Sequence, residues 1–275
     1  MFEDINKVII LSDMDGTLLN SKKEITERDM AAINKFTSMG GKFTVATGRT
    51  VQTFEQYRNI LGIDIPIILF NGALIYNYST RQTLYINELP EEARQITEEI
   101  INLLPEAGGE VLKQDGTYIF RNNDYEQLHT DICKIIPSYS DLKDIDSEGW
   151  LKVLFAMAPE DIPHIELLVH QKGYDTVEFV KSSNIFYEML TKGITKGSAL
   201  GEYRKLEGFE DYTFVSVGDF DNDIEMIKAA DLGACPSNAE EDVKKSADLV
   251  LSHSCDDGAV SELIGYVIDR CSNKT

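Results

Sequence analysis

The chain is short of positive charge. Its 275 residues carry 26 Lys and Arg against 47 Asp and Glu, a formal net charge of -21. Nucleic acids and anionic membranes are held by clustered Lys and Arg, so this balance excludes both as partners and reads as a solubilising surface. Cysteine is also scarce. Cys133, Cys235, Cys255 and Cys271 are widely spaced, and no pair has metal-ligand or redox-motif spacing. Reduced thiols in a cytoplasmic protein fit that pattern. No apolar run approaches the roughly 20 residues a membrane helix needs, and the polar start MFEDINK has no apolar leader. His129, His164, His170 and His253 share no local motif, which leaves a zinc site or a Ser-His-Asp triad little support. Internal repeats and low-complexity segments are lacking as well.

What is present is an alternation. KVIIL is a strand-like run too short for a helix. TERDMAAINKFTSMGG has helical spacing, with Thr26 as N-cap and Gly40–Gly41 as the stop. KFTVAT, the helix TVQTFEQYRNILGI and the strand PIILF follow. Three strands alternating with helices predict a parallel sheet with helices on its faces. The middle differs. ALIYNYSTRQTLYIN and EVLKQDGTYIF read as hairpins around 78–81 and 115–116, PEEARQITEEIINLLPE as a helix and WLKVLFAMA as a strand. A helix from about Pro159 to Lys172 precedes YDTVEFVKSS and IFYEML. After TKGITKG the alternation returns through YTFVSVGD, LGAC and DLVLS, each next to a helical segment. The expected architecture is therefore α/β: a Rossmann-like parallel-sheet core, residues 1–85 and 192–275, interrupted by an inserted α+β cap at 86–191. The crossings fall near 83–88 and 190–194.

Ligands of open α/β sheets lie beyond the carboxyl ends of the strands. DMDGT, ATGR, FNGA and GDFDND all fall at such ends. Asp13 ends an apolar strand, where a carboxylate is costly unless a cation or hydrogen bonds compensate it. A carboxylate there can attack phosphorus to give an aspartyl-phosphate, and Asp219 can share a cation with it. Hard oxygen donors and a phosphate favour magnesium, with Asn222 and Asp223 ligating it or holding its waters. Asp15, two residues on, points to the same side on an extended backbone and suits general acid–base work. Thr47 offers a hydroxyl and Gly48 a backbone N–H to a phosphate oxygen. Lys196 supplies fixed positive charge. Each motif alone has a bland reading: an Asp-x-Asp is usually a solvated turn, Asn71–Gly72 a turn dipeptide, and Arg49 a surface or helix-face charge. Their order along the chain, each at a strand end, carries the inference.

DMDGTLL, ATGR, GITKGSAL and GDFDNDIEM resemble the motifs of the haloacid dehalogenase superfamily. The insertion and the tail ADLGACPSNAEEDVKKSADLVLSHSCDDGAVSELI are similar to its Cof-type phosphatases with a large α/β cap. The resemblance implies a magnesium-dependent phosphohydrolase acting on small phosphorylated metabolites, sugar phosphates foremost. It matches Asp13 to the nucleophile, Asp15 to the acid/base, and Thr47 and Lys196 to the phosphate-binding positions. Asp13, the Asp15 main chain and Asp219 match the metal ligands. Asn222 and Asp223 match the motif supporting the metal, and Asn71 an Asn-Gly-Ala element near the substrate. Cys235–Pro236 departs from the family's small or aliphatic residues, which puts the local strand geometry in question. A phosphomutase sharing the intermediate and a non-catalytic phosphometabolite sensor are the alternatives. Glu188 and Lys192 are candidate cap contacts, with surface charge as the bland reading, and monomer and homodimer both stay open.

Overall fold

The computed structural model describes residues 4–272; residues 1–3 and 273–275, at the outer ends of the expected core segments and including the start of MFEDINK, lie outside the described residues. In chain order come β1 (Val8–Ser12), α1 (Glu27–Ser38), β2 (Lys42–Val45), α2 (Val51–Leu61), β3 (Ile67–Leu69), β4 (Leu74–Asn77) and β5 (Gln82–Ile86). Then follow α3 (Ala93–Leu103), β6 (Gly108–Lys113), β7 (Gly116–Arg121), α4 (Asp124–Cys133), β8 (Ser138–Tyr139), β9 (Trp150–Ala156), α5 (Ile162–Lys172), β10 (Val177–Lys181) and β11 (Phe186–Thr191). Last are α6 (Lys196–Tyr203), β12 (Thr213–Val217), α7 (Ile224–Ala229), β13 (Leu232–Cys235), α8 (Glu241–Ser246), β14 (Leu249–Val250) and α9 (Ala259–Ser272).

The chain divides into two units. One runs to Gly48, resumes over Tyr57–Tyr85 and again from Thr195; the other takes Arg49–Gln56 and Ile86–Ile194. In the first unit β14, β13, β12, β1 and β2 form a parallel sheet in that order. Strand β1 lies inside it, between β12 and β2, and is buried at every position, which is why its sequence is a near-continuous apolar run. Thr26 caps α1 as expected, its hydroxyl accepting from the Asp29 N–H, and Gly40 follows with φ of 97°.

Strand β3 departs from the expectation of a full third parallel strand. It meets β2 through a single parallel bridge, Ala46–Ile68, and pairs mainly antiparallel with β4. The reason is local. Phe70 and Asn71 both adopt left-handed φ, 51° and 54°, so the chain turns back after three residues. Helix α5 begins at Ile162, later than expected, because 159–161 form a turn closed by the Asp161 N–H on the Ala158 carbonyl. Strand β13 is regular and fully buried between β12 and β14. Pro236 stands just past its end, where a missing N–H takes no bond from the ladder.

The second unit holds a sheet ordered β10-β11-β9-β6-β7-β8, antiparallel except for the short β7–β8 pair. Val111, Val153 and Met189 stand opposite one another across β6, β9 and β11, as do Glu110, Leu154 and Glu188. Opposite residues share a face. The first file packs against Ile96, Ile100 and Ile165 of α3 and α5 in one apolar core. The second file lies on the other face.

Candidate active site

The parallel register delivers the site. Ser12, the last residue of β1, stands level with Val217 of β12 and Val45 of β2. The Asp13 N–H continues the ladder to the Val217 carbonyl at 2.8 Å, and the Ala46 N–H reaches the Ser12 carbonyl at 3.0 Å. Thr47 N–H donates to Ile68, and Asn71 N–H donates back to the Thr47 carbonyl, each at 3.0 Å. Four strand ends are thus tied side by side, and Asp13, Thr47, Asn71 and Asp219 emerge at one edge.

Lys196 is the first residue of α6, behind the N-cap Thr195, which forms a reciprocal capping box with Ser198. Its buried Nζ donates to Asp13 Oδ1 and Asp223 Oδ1, both at 2.6 Å. Asp223 Oδ2 accepts the N–H groups of Asp219 and Phe220 at 2.9 and 3.1 Å, which folds the GDFDND turn around it. Thr17 donates to Asp219 Oδ1 at 2.6 Å. Two glycines permit this closeness: a Cβ on Gly16 (φ 89°) would strike the Asp219 carboxylate, and one on Gly72 (φ 110°) would strike the Thr195 carbonyl.

One lysine is thereby set against three carboxylates, those of Asp13 and Asp223 buried and that of Asp219 half-buried. Burial pushes Asp13 up to about 7 against the pull of Lys196. Burial, then the charges of Asp13 and Asp223, push Asp219 up to about 8. Burial opposes the Lys196 charge, yet Asp13 and Asp223 hold it above the ordinary lysine range. The cluster lacks positive charge. Asp13, Asp219 and Asp223 each bring an oxygen within 4.8 Å of the others, an all-oxygen set that suits a hard divalent cation. Asp13 gives one oxygen to Lys196 and Asp219 one to Thr17, and the second oxygen of each is the donor a cation would take.

The structure brings together Asp13, Asp219, Asp223 and Lys196. It sets Asp15 and Asn222 outside that group of three acids. The chain turns at Met14–Gly16, so strand alternation stops at Asp13; the Asp15 carboxylate is 39% exposed and lies 2.8 Å from Lys23 Nζ. Asn222 instead donates to Asn71 Oδ1 at 3.1 Å, and a Cβ on Gly48 would crowd that same Asn71 oxygen. Asp223, expected as a ligand or water holder, spends both oxygens on Lys196 and the turn. Thr47 is buried at the edge, and Arg49 is buried rather than a surface charge. Asn238 is an addition to the expected set: its amide donates to the Gly16 carbonyl at 2.8 Å while its oxygen accepts the Cys255 N–H. Nothing in PSNAEED marks it. The Thr195–Ser198 capping box is only half marked, since Thr195 is a common N-cap residue but Ser198 stands where the signature has Glu or Gln. Glu188 is buried against Lys152 at 2.9 Å and accepts from Ser182, so it is no surface charge, whereas Lys192 is exposed. All four cysteines are free thiols, and among the described residues no helix is long and apolar enough to cross a membrane.

A parallel sheet with acids and a lysine at its carboxyl edge, joined to an antiparallel second sheet, defines a class. The chain belongs to the haloacid dehalogenase-like hydrolases, whose family model matches residues 10–264, and it is a phosphatase of that family. It is 26% identical over 266 residues, 97% of this chain and 98% of the other, to the 5-amino-6-(5-phospho-D-ribitylamino)uracil phosphatase YcsE of Bacillus subtilis. It is 23% identical over 278 residues, 94% of this chain and 98% of the other, to the pyridoxal phosphate phosphatase YbhA of Escherichia coli. Among solved structures it is similar to a haloacid dehalogenase-like hydrolase from Bacteroides thetaiotaomicron, with a TM-score of 0.81 at 25% identity over 94% of this chain and 99% of that one.

Proposed function

We propose that the chain hydrolyses phosphate monoesters of small metabolites, sugar phosphates among them, through an aspartyl-phosphate on Asp13 and with magnesium. The supporting observation is the trio Asp13, Asp219 and Asp223 around one buried Lys196. The relatives' names run from a ribitylaminouracil phosphate to pyridoxal phosphate, which favours a small phosphorylated metabolite.

Asp13 attacks phosphorus, forming an O–P bond as the ester O–P bond breaks. Asp15 gives its proton to the leaving alkoxide. Asp15 then takes a proton from water as that water attacks phosphorus and releases Asp13. For this Asp15 must exchange its contact with Lys23. Lys196 and the Thr47 hydroxyl hold phosphoryl oxygens, and Asp223 keeps Lys196 and the 219–220 turn in place. Asp13, the Asp15 carbonyl and Asp219 would hold magnesium, with Asn222 steadying the turn through Asn71. Bound there, magnesium supplies charge neutralisation for the phosphoryl group.

The test is a screen of phosphorylated metabolites with and without magnesium, followed by Asp13→Asn on the best substrate. Free phosphate is expected, dependent on magnesium, falling by at least about 1000-fold in the variant. An isomerised sugar phosphate as product would mark a mutase instead. Undiminished turnover in Asp13→Asn would refute the assignment.

A further inference from the structure

The second unit buries another titratable cluster that the phosphatase reading does not use. Glu110 stands on β6, on the sheet face opposite the apolar core, and Glu126 and His129 stand one turn apart on α4. The Glu110 and Glu126 side chains are 0% exposed, and neither oxygen of either carboxylate has a hydrogen-bond partner. His129 Nδ1 lies 3.2 Å from Glu110 Oε1 and 4.0 Å from Glu126 Oε1, without hydrogen-bond geometry to either. All three donor atoms lie within 4.8 Å of one another. The Phe186 ring lies against the imidazole, with centres 4.8 Å apart and planes inclined by 58°.

Four buried carboxylate oxygens without a hydrogen bond, served by one imidazole 3.2 Å from Glu110 and 4.0 Å from Glu126, need an explanation, because each buried charge costs several kcal/mol unless paired and hydrogen-bonded. The charge of nearby Lys152 reaches Glu110, but its ammonium is bonded at 2.9 Å to a third buried glutamate, Glu188. His129 alone does not balance two glutamates. The protein's own remedy is a proton: burial, then the charge of Glu110, pushes Glu126 up to about 8. Burial opposes the His129 charge, but Glu110 holds the imidazole above its ordinary range. A divalent cation does the same work better. With neutral imidazole and two carboxylates it leaves the site uncharged and satisfies an oxygen of each glutamate.

We propose that Glu110, Glu126 and His129 form a binding site for a divalent transition-metal ion, of which zinc is the probe. Zinc holds nitrogen and carboxylate donors at about 2.0–2.2 Å, which places tetrahedral donors about 3.3–3.5 Å apart. The 3.2 Å pair is close to that spacing, and the Glu126 oxygen, 4.0 Å from the imidazole nitrogen, has to move in by about 0.5 Å. The imidazole selects against magnesium, which keeps to oxygen and water. His129 is the member that reaches solvent, 14% exposed, although its Nδ1 is buried. The site is built within one unit and is independent of the phosphatase reading.

The experiment uses the full chain, stripped with chelator, dialysed into excess MgCl2 and titrated with ZnCl2 by calorimetry and elemental analysis. About one zinc per chain is expected beyond any bound at the aspartate cluster. His129→Gln should weaken that zinc by at least about tenfold, since even outer-sphere changes at metal sites cost 10- to 100-fold. Glu126→Gln should do the same, and it keeps the fold testable because glutamine matches the protonated acid already favoured there. Asp219→Asn should leave this zinc in place. No zinc taken up in the presence of magnesium overturns the proposal, as does uptake undiminished by both His129→Gln and Glu126→Gln, or uptake abolished by Asp219→Asn.

Discussion

In the parallel-sheet unit three aspartates gather around one lysine; in the other unit two glutamates gather around one histidine. The first cluster is tied down from every side. Lys196, Thr17 and the N–H groups of Asp219 and Phe220 each meet a carboxylate oxygen at 2.6–3.1 Å. The second is held by the imidazole alone, 3.2 Å from Glu110 and 4.0 Å from Glu126. Charge is under-compensated in both, but only the first is built on strand ends, where residues distant in sequence converge by topology. A site for transfer chemistry needs groups held against recoil, and the first cluster meets that need. The second fits an ion that supplies its own bonds.

The comparison breaks most visibly at the two lysines. Lys196→Met leaves Asp13 and Asp223 without their cation. Removing one partner of a buried ion pair costs about 3–5 kcal/mol, and phosphate release should fall by at least about 1000-fold. Lys152→Met should be destabilising through the loss of its ion pair with Glu188 and of its charge near Glu110. Urea unfolding of both variants in chelator, followed by phosphate assays in magnesium, checks this. A Lys196→Met variant that keeps the wild-type rate would remove Lys196 from the phosphate site.

Why one cluster is legible in the sequence and the other is not follows from where the residues stand. Asp13 ends an unbroken apolar run, and Asp219 follows VSVG, so their positions at strand ends are readable from the pattern alone. Lys196 is readable from its place at the start of a helix. The side-chain directions are less so. Strand alternation sets Asp15 beside Asp13, but alternation holds only while the chain is extended, and Gly16 ends that. The left-handed pair Phe70–Asn71, which shortens β3, has no sequence mark beyond Asn-Gly. Glu110 looks like the polar member of an alternating strand, and Glu126 and His129 like a solvated helix face. Only the packing of α4 on that sheet face turns them inward, and single-sequence reading has no access to packing.

A smaller effect separates the clusters by pH. Burial pushes Asp13 up to about 7 and Asp219 up to about 8 in the folded chain, against an ordinary aspartate value of 3.8. The folded protein then binds more protons than the unfolded one between those values, so stability falls as pH rises from about 4 to about 8. Glu126, up to about 8, adds a fall of the same sign, as does His129 above its ordinary value; Glu110, held below its own by His129 despite burial, opposes them from the acid side. Lys152 and Glu188 also border that face. Melting temperatures in chelator should therefore drop by several degrees from pH 5 to pH 8. Magnesium should remove the aspartate share of the slope, and Glu126→Gln much of the rest. A slope untouched by magnesium would place the titrating groups elsewhere.

The mildest contrast lies in the helix caps that present the two clusters. Thr195 caps α6, accepting from Ser198 N–H and donating to Glu225 Oε2, and so sets Lys196. Asn123 caps α4, accepting from Glu126 N–H at 2.8 Å, while its amide donates to the Glu106 and Ala156 carbonyls at 2.9 Å each. Loss of an N-cap costs about 1 kcal/mol, and Asn123→Ala also strands two carbonyls, so it should be the more destabilising. The functional readouts should divide the other way. Thr195→Ala should lower the phosphate-release rate a few-fold by loosening Lys196, with zinc affinity unchanged. Asn123→Ala should lower zinc affinity by loosening Glu126 and His129. Equal effects of both caps on both readouts would mean that the clusters are not independent, and that the caps act through general stability alone.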